Sequence, residues 1–214
     1  MADIHVSSHP LVRHHLVTLR NPQTPSPEFR RTVRNLTLLL ASEATAHLPI
    51  RTVDASTPLG TAPGGLLADR VAIVPILRAG LGMADGLLEL IPEAEVWHVG
   101  LYRDEQTLQP REYYNKLPRQ CAATLGIVVD PMLATGGSAA RTCQILHDAG
   151  IPRLIFIALL AAPEGVAAFT ARMPDVPVVV GAVDEKLNTA GFIVPGLGDA
   201  GDRQFGTTNP AEQA

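Results

Sequence analysis

The sequence predicts an α/β fold: a mainly parallel twisted sheet flanked by helices, with a small C-terminal hood (about 186–207) and a projecting flap hairpin (102–117). First, short apolar runs alternate with helical patterns from residue 70 onward, which is typical of βαβ units. Second, these runs are apolar at consecutive positions, as strands buried on both faces are. Third, the segments 102–117 and 191–206 interrupt the alternation with polar, proline-containing or glycine-rich sequence.

The elements follow in chain order. The tripeptide Ser-Pro-Glu at 26–28 is typical of a helix start, with Ser26 as N-cap, and apolar residues then recur at helical spacing until Pro49. Buried strands are predicted at 71–77, 95–102, 125–129, 153–160 and 176–183. Helices are predicted at about 81–90, 138–149 and 164–172.

A single domain over 1–214 fits the length, because 214 residues exceed the roughly 150 of an average domain by less than half. Its parts are an N-terminal helical segment (1–50), a core (about 70–185) and the hood. The composition, 46% hydrophobic and 18% charged, excludes intrinsic disorder, which needs the opposite balance.

Charge and cysteine content exclude several classes of partner and compartment. The formal net charge of -4 gives no basic surface, so we expect no nucleic-acid partner. The longest apolar run, at 154–162, is half the roughly 18 residues of a membrane helix, so we expect no membrane partner. Two cysteines, Cys121 and Cys143, cannot form a disulfide framework, and the N-terminus lacks a secretory pattern. We therefore expect a cytoplasmic protein.

A phosphate-binding pattern follows the third predicted strand, in a segment that we call the phosphate cradle (130–138). The strand ends in Asp130, and a loop with Thr135 and two glycines leads through Ser138 into a helix. Glycines let backbone N–H groups approach an anion, and a helix N-terminus supplies unpaired donors and a positive dipole end. These features fit a phosphate monoester, and a carboxylate at a strand end suits ribose hydroxyls. The alternative is a plain strand-to-helix turn with Ser138 as N-cap.

This segment carries a resemblance that extends over nearly the whole chain. VDPMLATGGSA at 129–139 is similar to the 5-phosphoribosyl-1-pyrophosphate (PRPP) motif of phosphoribosyltransferases, and it most resembles the uracil phosphoribosyltransferase family. Further segments resemble that family in the same order: HPLVRHHL (9–16), SEAT (42–45), PILRAGLGM (75–83), GLYRDEQTLQP (100–110), KLP (116–118), AAPEG (161–165) and IVPGLGDAGDRQFGT (193–207).

The resemblance implies a pentosyltransferase of pyrimidine salvage, which converts uracil and PRPP to UMP and pyrophosphate. The residues that it implies for PRPP are Arg78, Arg103, Asp130, Pro131, Met132, Leu133, Ala134, Thr135, Gly136, Gly137, Ser138 and Asp199. Those that it implies for uracil are Ile193, Gly198, Asp199 and Ala200. The catalytic candidates are Asp199, Arg103 and Asp130.

Two arginines fit the leaving group. Arg78 directly follows the first predicted strand and Arg103 ends the second, so both are expected beside Asp130 at the carboxyl edge of the sheet. Guanidinium groups bind phosphate oxygens bidentately and would stabilise the charge that grows on departing pyrophosphate. The alternative is a pair of ordinary surface arginines.

The hood suits a planar pyrimidine. Its glycines expose backbone N–H and C=O groups, and its apolar residues provide walls. Uracil presents an acceptor, a donor and an acceptor along one edge, and cytosine would present a donor where an acceptor is required. Phe192 stands where many relatives are expected to carry Tyr.

The resemblance also bears on cofactors and assembly. Pro131 occupies the position where many phosphoribosyltransferases have a second acid, so we expect no resident metal and Mg²⁺ that enters bound to PRPP. Relatives are usually homo-oligomers, dimers or tetramers, and some respond to GTP. In the flap, Tyr113, Tyr114 and Lys116 are candidates for contacts with substrate or with a partner subunit.

A rival function belongs to another class. A PRPP- or UMP-sensing regulator that binds RNA, similar to the attenuators of pyrimidine operons, would use the same scaffold with little catalysis. The negative net charge and the lack of a basic patch with interleaved aromatic residues disfavour it.

Overall fold

The computed structural model describes residues 3–103, 110–118 and 121–207, and for residues 102, 103, 110 and 111 it describes the backbone alone. The helices are α1 (Pro10–Arg20), α2 (Ser26–Thr45), α3 (Leu81–Leu90), α4 (Gly137–Asp148), α5 (Pro163–Arg172) and α6 (Ala200–Phe205). The strands are β1 (Ile4–Val6), β2 (Ile50–Thr57), β3 (Gly60–Leu67), β4 (Val71–Leu77), β5 (Glu95–Val96), β6 (Val99–Arg103), β7 (Pro110–Asn115), β8 (Leu125–Val129), β9 (Met132–Leu133), β10 (Arg153–Ala161), β11 (Val178–Val183), β12 (Lys186–Leu187) and β13 (Ile193–Val194).

The central sheet has the strand order β1-β11-β10-β8-β4-β6-β7, and every neighbouring pair is parallel except β6 and β7. Alternate residues of each strand pack into different layers. Ile73 and Ile127 join the core under α1, α2 and α3, whereas Val74 and Val128 join the core under α4 and α5. The predicted α/β fold is confirmed, and burial on both faces explains the consecutive apolar residues.

The second predicted strand is divided. Residues 95–102 form β5 and β6, which both pair with β4, and residues 97 and 98 lie between them. The pairing of Val96 with Ile73 and of Val99 with Ile76 places Pro75 opposite this gap. Because proline has no backbone N–H, it cannot donate to the ladder there.

The N-terminal segment is helical, as predicted, but its details differ. Ser26 is the first residue of α2, Pro25 is its N-cap, and Ser26 makes no capping bond, so the prediction of Ser26 as N-cap is wrong. The helix ends at Thr45, before Pro49. The segment also holds β1, which pairs with β11 at one edge of the sheet.

A separate antiparallel hairpin, β2–β3, occupies residues 50–67, where the sequence analysis predicts no element. Its side chains are mostly exposed, so no apolar alternation marks the strands, and β3 contains three glycines and a proline. The predicted flap is an antiparallel hairpin of β6 and β7. Its residues 104–109 lie outside the described part of the chain.

The carboxyl end of β4 leads into the loop with Arg78, that of β8 into the phosphate cradle, and that of β10 into the AAPEG segment. The hood packs beside them, formed by the antiparallel pair β12–β13 and by α6. Among the described residues, no helix is both long and apolar enough to cross a membrane.

Candidate active site

The phosphate cradle begins where β8 ends. The chain passes through the short strand β9, which pairs with β10, and enters α4 at Gly137. Gly136 is the N-cap of α4 with φ of +74°, and as a glycine it has no side chain to cap the helix. Ser138 lies inside the first turn, so the alternative of a turn capped by Ser138 is excluded. The N-cap residue therefore leaves the first N–H groups of α4 to other acceptors, for which an anion is suited.

Main-chain packing against α5 fixes the shape of the cradle. A Cβ atom on Gly136 would lie 2.7 Å from the carbonyl oxygen of Gly165, which belongs to the first turn of α5. A Cβ atom on Gly165 would lie 2.3 Å from the carbonyl oxygens of both Leu133 and Ala134. Only glycines permit this approach, which gives the AAPEG segment (161–165) a structural role in the cradle.

Asp130 lies at the mouth of the cradle. Its N–H donates to the carbonyl of Ile157 over 3.3 Å, and its Oδ1 accepts the N–H of Met132 over 3.2 Å. Burial raises the pKa of the Asp130 carboxyl to about 7; the hydrogen bond from Met132 lowers that pKa, and the Asp199 carboxylate raises it. The two carboxyl groups, 69 positions apart in the sequence, therefore lie close enough to interact.

Arg78 follows β4 in a loop that packs on the end of β8. A Cβ atom on Gly80 would lie 2.5 Å from the carbonyl oxygen of Val129, so the loop approaches β8 closely. The Arg78 guanidinium donates to Oδ1 of Asp202 over 2.9 Å and to the Thr207 hydroxyl over 3.4 Å. The hydrogen bond from Thr207 lowers the pKa of Asp202, burial opposes this change, and Arg78 lowers that pKa further.

Arg103 ends β6, and its backbone pairs with Pro110 of β7. Its side chain lies outside the described part of the chain. Of the two predicted arginines, the structure therefore places one side chain, that of Arg78, which lies against Asp202 of α6 in the hood.

The hood presents a backbone-rich loop beside a cleft of about 520 Å³. Asp199 is the N-cap of α6, and its Oδ1 accepts the N–H of Asp202 over 2.9 Å. Gly198 has φ of +77°, and its N–H and C=O make no hydrogen bond with another described residue. The cleft is lined, among others, by Arg20, Phe192, Ile193, Pro195, Gly198 and Asp199. Three of the four residues predicted for the base thus line one cleft, and the fourth, Ala200, is buried at the start of α6.

The family model of uracil phosphoribosyltransferase matches residues 6–207. The chain belongs to the uracil phosphoribosyltransferase family. The cradle, Arg78 and the hood loop all lie within the matched region.

Relatives of the chain match it over almost its whole length. A uracil phosphoribosyltransferase of Roseiflexus sp. is 53% identical over 207 residues, which cover 97% of this chain and 100% of the relative. A uracil phosphoribosyltransferase of Anoxybacillus flavithermus is 50% identical, with coverage of 97% and 100%. The predicted enzyme class, a pentosyltransferase of pyrimidine salvage, is confirmed, and no support appears for the RNA-binding regulator.

Solved structures agree on the fold. A protein of Aquifex aeolicus has a TM-score of 0.91 and 34% identity, and the match covers 96% of this chain and 99% of that one. A hypoxanthine-guanine phosphoribosyltransferase of Bacillus anthracis has a TM-score of 0.51 at 14% identity, with coverage of 74% and 80%, which shows a shared fold alone.

Residues that sequence reasoning did not single out hold the site of this family member in place. Arg203 donates to the carbonyl of Leu197 over 2.7 Å and to those of Leu19 and Asn21, and its guanidinium lies 4.3 Å from the ring centroid of Phe29. Burial lowers the pKa of Arg203. The GDRQFG segment contains this residue, but only its partners in α1 and α2 reveal its role.

Gln204 connects the hood to the Arg78 loop. Its side-chain amide is fully buried and donates to the carbonyl oxygens of Ala79 and Ala200 over 2.9 and 3.0 Å. From α5, Glu164 accepts the N–H of Leu187 in the hood over 3.1 Å, and this hydrogen bond lowers the pKa of Glu164. The loops of the site therefore depend on each other.

The polar groups of the site fit a divalent cation that is carried by its substrate. Within the described residues, no group of three or more His, Cys, Asp or Glu side chains is arranged to hold a metal ion. After β8 the chain offers a single carboxylate, because Pro131 follows Asp130. This donor set fits Mg²⁺ that takes most of its ligands from phosphate oxygens and water.

Proposed function

We propose that this chain forms UMP by bringing the anomeric carbon of PRPP and N1 of uracil together between the phosphate cradle and the hood. The observation that carries the proposal is that the Asp199 carboxylate of the hood acts on the buried Asp130 carboxyl of the cradle, beside a helix start whose N-cap is a glycine. The N-terminal helices, the sheet and the hood would work as one catalytic domain.

The cradle would bind the 5-phosphate and the ribose. The N–H groups of Gly137 and Ser138 at the start of α4 and the side chains of Thr135 and Ser138 are donors suited to a phosphate dianion. Asp130, once ionised, would accept hydrogen bonds from the vicinal ribose hydroxyls. The backbone from Pro131 to Ala134 would follow the ribose phosphate, because it is fixed between β10 and α5.

Arg78 and Arg103 would hold the pyrophosphate. Arg78 is half-exposed and is held by Asp202 and Thr207, so its guanidinium stands at the site before a substrate arrives. As the bond from the anomeric carbon to pyrophosphate breaks, negative charge grows on the leaving oxygens, and the guanidinium groups would stabilise it. Magnesium, when bound, would neutralise part of the same charge.

The hood would bind uracil and orient its N1 atom. Ile193 provides an apolar wall, and the backbone of Gly198, Asp199 and Ala200 would read the polar edge of the base. The new bond forms between N1 and the anomeric carbon while pyrophosphate departs from the opposite face with the electron pair of the broken C–O bond, and the N1 proton passes to solvent or to the released pyrophosphate. In the transition state the ribose ring carries partial positive charge, which the carboxylates of Asp199 and Asp130 would stabilise.

A second copy of the chain would cover the exposed β2–β3 hairpin in a homo-oligomer. The β2–β3 hairpin pairs with no strand of the central sheet among the described residues, and Leu59 at its turn is fully exposed, with Ile50 at 69%. An isolated two-stranded hairpin is marginally stable in water, so a covering partner is expected. This supports the prediction of a homo-oligomer, and light scattering tests it. Cytoplasmic location and activation by GTP stay predictions from the sequence.

The test is a panel of free bases with PRPP and magnesium, read by the nucleotide produced. We expect UMP from uracil, and turnover of cytosine, adenine, guanine and hypoxanthine that is at least about 1,000-fold slower. Asp199→Asn keeps the shape of the N-cap and should lower the rate of UMP formation by about 100-fold or more, because the carboxylate charge is lost. Asp148→Asn, at the far end of α4, is the matched control. Turnover of another base at a rate near that of uracil contradicts the proposed substrate, and near-normal turnover by Asp199→Asn contradicts its role.

A further inference from the structure

An ion pair between distant parts of the chain binds both backbone polar groups of one residue of the hood loop, Gly196. Arg20, the last residue of α1, donates to both carboxylate oxygens of Asp184 over 2.8 and 2.5 Å. The same guanidinium donates to the carbonyl oxygen of Gly196 over 2.9 Å. Asp184 in turn accepts the N–H of Gly196 over 2.8 Å. Both backbone groups of Gly196 are therefore held by one ion pair.

The ion pair is largely removed from solvent, which strengthens its hold. The side chain of Asp184 is 6% exposed and that of Arg20 is 29% exposed. Burial works to raise the pKa of Asp184, but the hydrogen bonds from Arg20 and from the Gly196 N–H outweigh it and lower that pKa. The hydrogen bond with Asp184 raises the pKa of Arg20, against the effect of burial. Both groups therefore stay charged throughout the neutral range.

The backbone of Gly196 is closely constrained. Its φ is +61°, and a Cβ atom there would lie 2.1 Å from the carbonyl oxygen of Ile193. Two residues later, Gly198 exposes the backbone groups that would read the base. A shift of the Gly196 backbone would move these groups directly, because only Leu197 separates the two glycines.

We propose that the Arg20–Asp184 ion pair is a positioning device for base recognition, which sets the affinity for uracil and the preference for uracil over cytosine. The inference rests on the proposed binding of uracil to the hood loop. Arg20 and Asp184 act through the backbone of Gly196, so they are positioning residues. Most residues assigned to PRPP lie in the cradle or at Arg78, which the ion pair does not contact, and Asp199 has an anchor of its own as the N-cap of α6.

The test is steady-state kinetics of the full chain with PRPP, magnesium and either uracil or cytosine. Arg20→Lys keeps the positive charge but replaces the planar guanidinium with a single ammonium group. That group cannot donate to both carboxylate oxygens of Asp184 and to the Gly196 carbonyl oxygen in the same geometry. We expect KM for uracil to rise about tenfold or more, because small misplacements of binding groups have large effects. We expect KM for PRPP to stay within about twofold and the uracil-to-cytosine preference to fall.

Asp184→Asn is the second variant and should show the same split between the two KM values. Arg153→Lys is the matched control, because Arg153 also forms an ion pair, with Asp69 over 2.8 Å. This pair lies at the amino-terminal start of β10, whereas the proposed site lies at the carboxyl ends of the strands. The two KM values of Arg153→Lys should stay within about twofold of wild type.

Each outcome decides the proposal. An unchanged KM for uracil in Arg20→Lys and Asp184→Asn overturns it, and so does an equal rise of both KM values, which would indicate a general loss of structure. If only one of the two variants folds, its KM split decides. If neither folds while Arg153→Lys does, the ion pair is a stability element and the proposal is wrong. Wild-type protein that makes no UMP would instead contradict the proposed function itself.

Discussion

The phosphate cradle and the hood reach their shapes by different means. The cradle is held by main-chain contact: Gly136 and Gly165 bring two backbone segments so close that no Cβ atom fits between them. The hood is held by side chains that reach it from other elements: Arg20 grips Gly196, and Arg203 grips Leu197. A phosphate group has the same shape in every substrate, so its site can be built on a rigid backbone. The position of the base-binding loop depends instead on side chains that lie outside the loop.

Two consecutive residues of α5 show both kinds of contact, main-chain packing and side-chain hydrogen bonding. Gly165 allows the cradle to pack on the helix, and Glu164 accepts a hydrogen bond from Leu187 of the hood. The comparison therefore predicts that substitutions at the cradle damage PRPP binding and stability together, and that substitutions at the hood clamps affect uracil more than PRPP.

The largest effect is expected from Gly136→Ala. The left-handed φ of +74° disfavours a side chain, and the added Cβ would lie 2.7 Å from the Gly165 carbonyl oxygen and 3.0 Å from the Phe169 nitrogen. We expect the free energy of unfolding to fall by about 2–4 kcal/mol and KM for PRPP to rise strongly. Urea denaturation and initial rates at varied PRPP measure both quantities.

Gly150→Ala is the matched control for this substitution. Gly150 has φ of +87°, but a Cβ atom there would meet nothing within 4 Å. It should lose only about 1–2 kcal/mol from the unfavourable φ and keep the wild-type KM for PRPP. If Gly136→Ala behaves like Gly150→Ala, close packing does not define the cradle.

A smaller effect is expected at the hood from Arg203→Lys. Lysine keeps the charge over Phe29 but cannot bond three carbonyl oxygens in the plane of a guanidinium, so buried acceptors lose their partners. We expect the free energy of unfolding to fall by about 1–3 kcal/mol and KM for uracil to rise more than KM for PRPP. Thermal unfolding and the two KM values provide the measurement.

Arg172→Lys, at the exposed end of α5, is the control and should leave stability and both KM values unchanged. A rise in KM for PRPP larger than that for uracil in Arg203→Lys would contradict the division between cradle and hood.

The same division explains what the sequence could predict. The cradle is contiguous, so its strand end, glycines and helix start stand together in nine residues, and local rules suffice. The core strands are predictable because both faces are buried. By contrast, Arg20 and Asp184 are 164 positions apart, and a charged residue at a helix end carries no signal of its distant partner. Similarly, the β2–β3 hairpin is exposed on most of its surface and lacks the apolar pattern that would reveal it.

Per pH unit, the smallest effect is expected where the two regions meet, at Asp130. Burial raises its pKa from 3.8 to about 7, so between these values the folded chain keeps a proton that the unfolded chain has released. The contribution of Asp130 to stability is therefore complete at acid pH and is lost as pH rises towards 7, by at most about 1.4 kcal/mol per pH unit. Asp130→Asn has no such proton, so wild type should lose stability relative to the variant over this interval.

Urea denaturation of both proteins at several pH values between 4 and 8 measures this difference directly. The lowered pKa values of Asp184 and Asp202 act in the opposite direction at acid pH, but they are common to both proteins and cancel in the difference. A difference that stays constant with pH would show that Asp130 is ionised in the free protein. Saturating PRPP should flatten the wild-type profile, because ribose hydroxyls that donate to the carboxylate favour its ionised form. The cradle would then be ready for substrate only when Asp130 has released its proton.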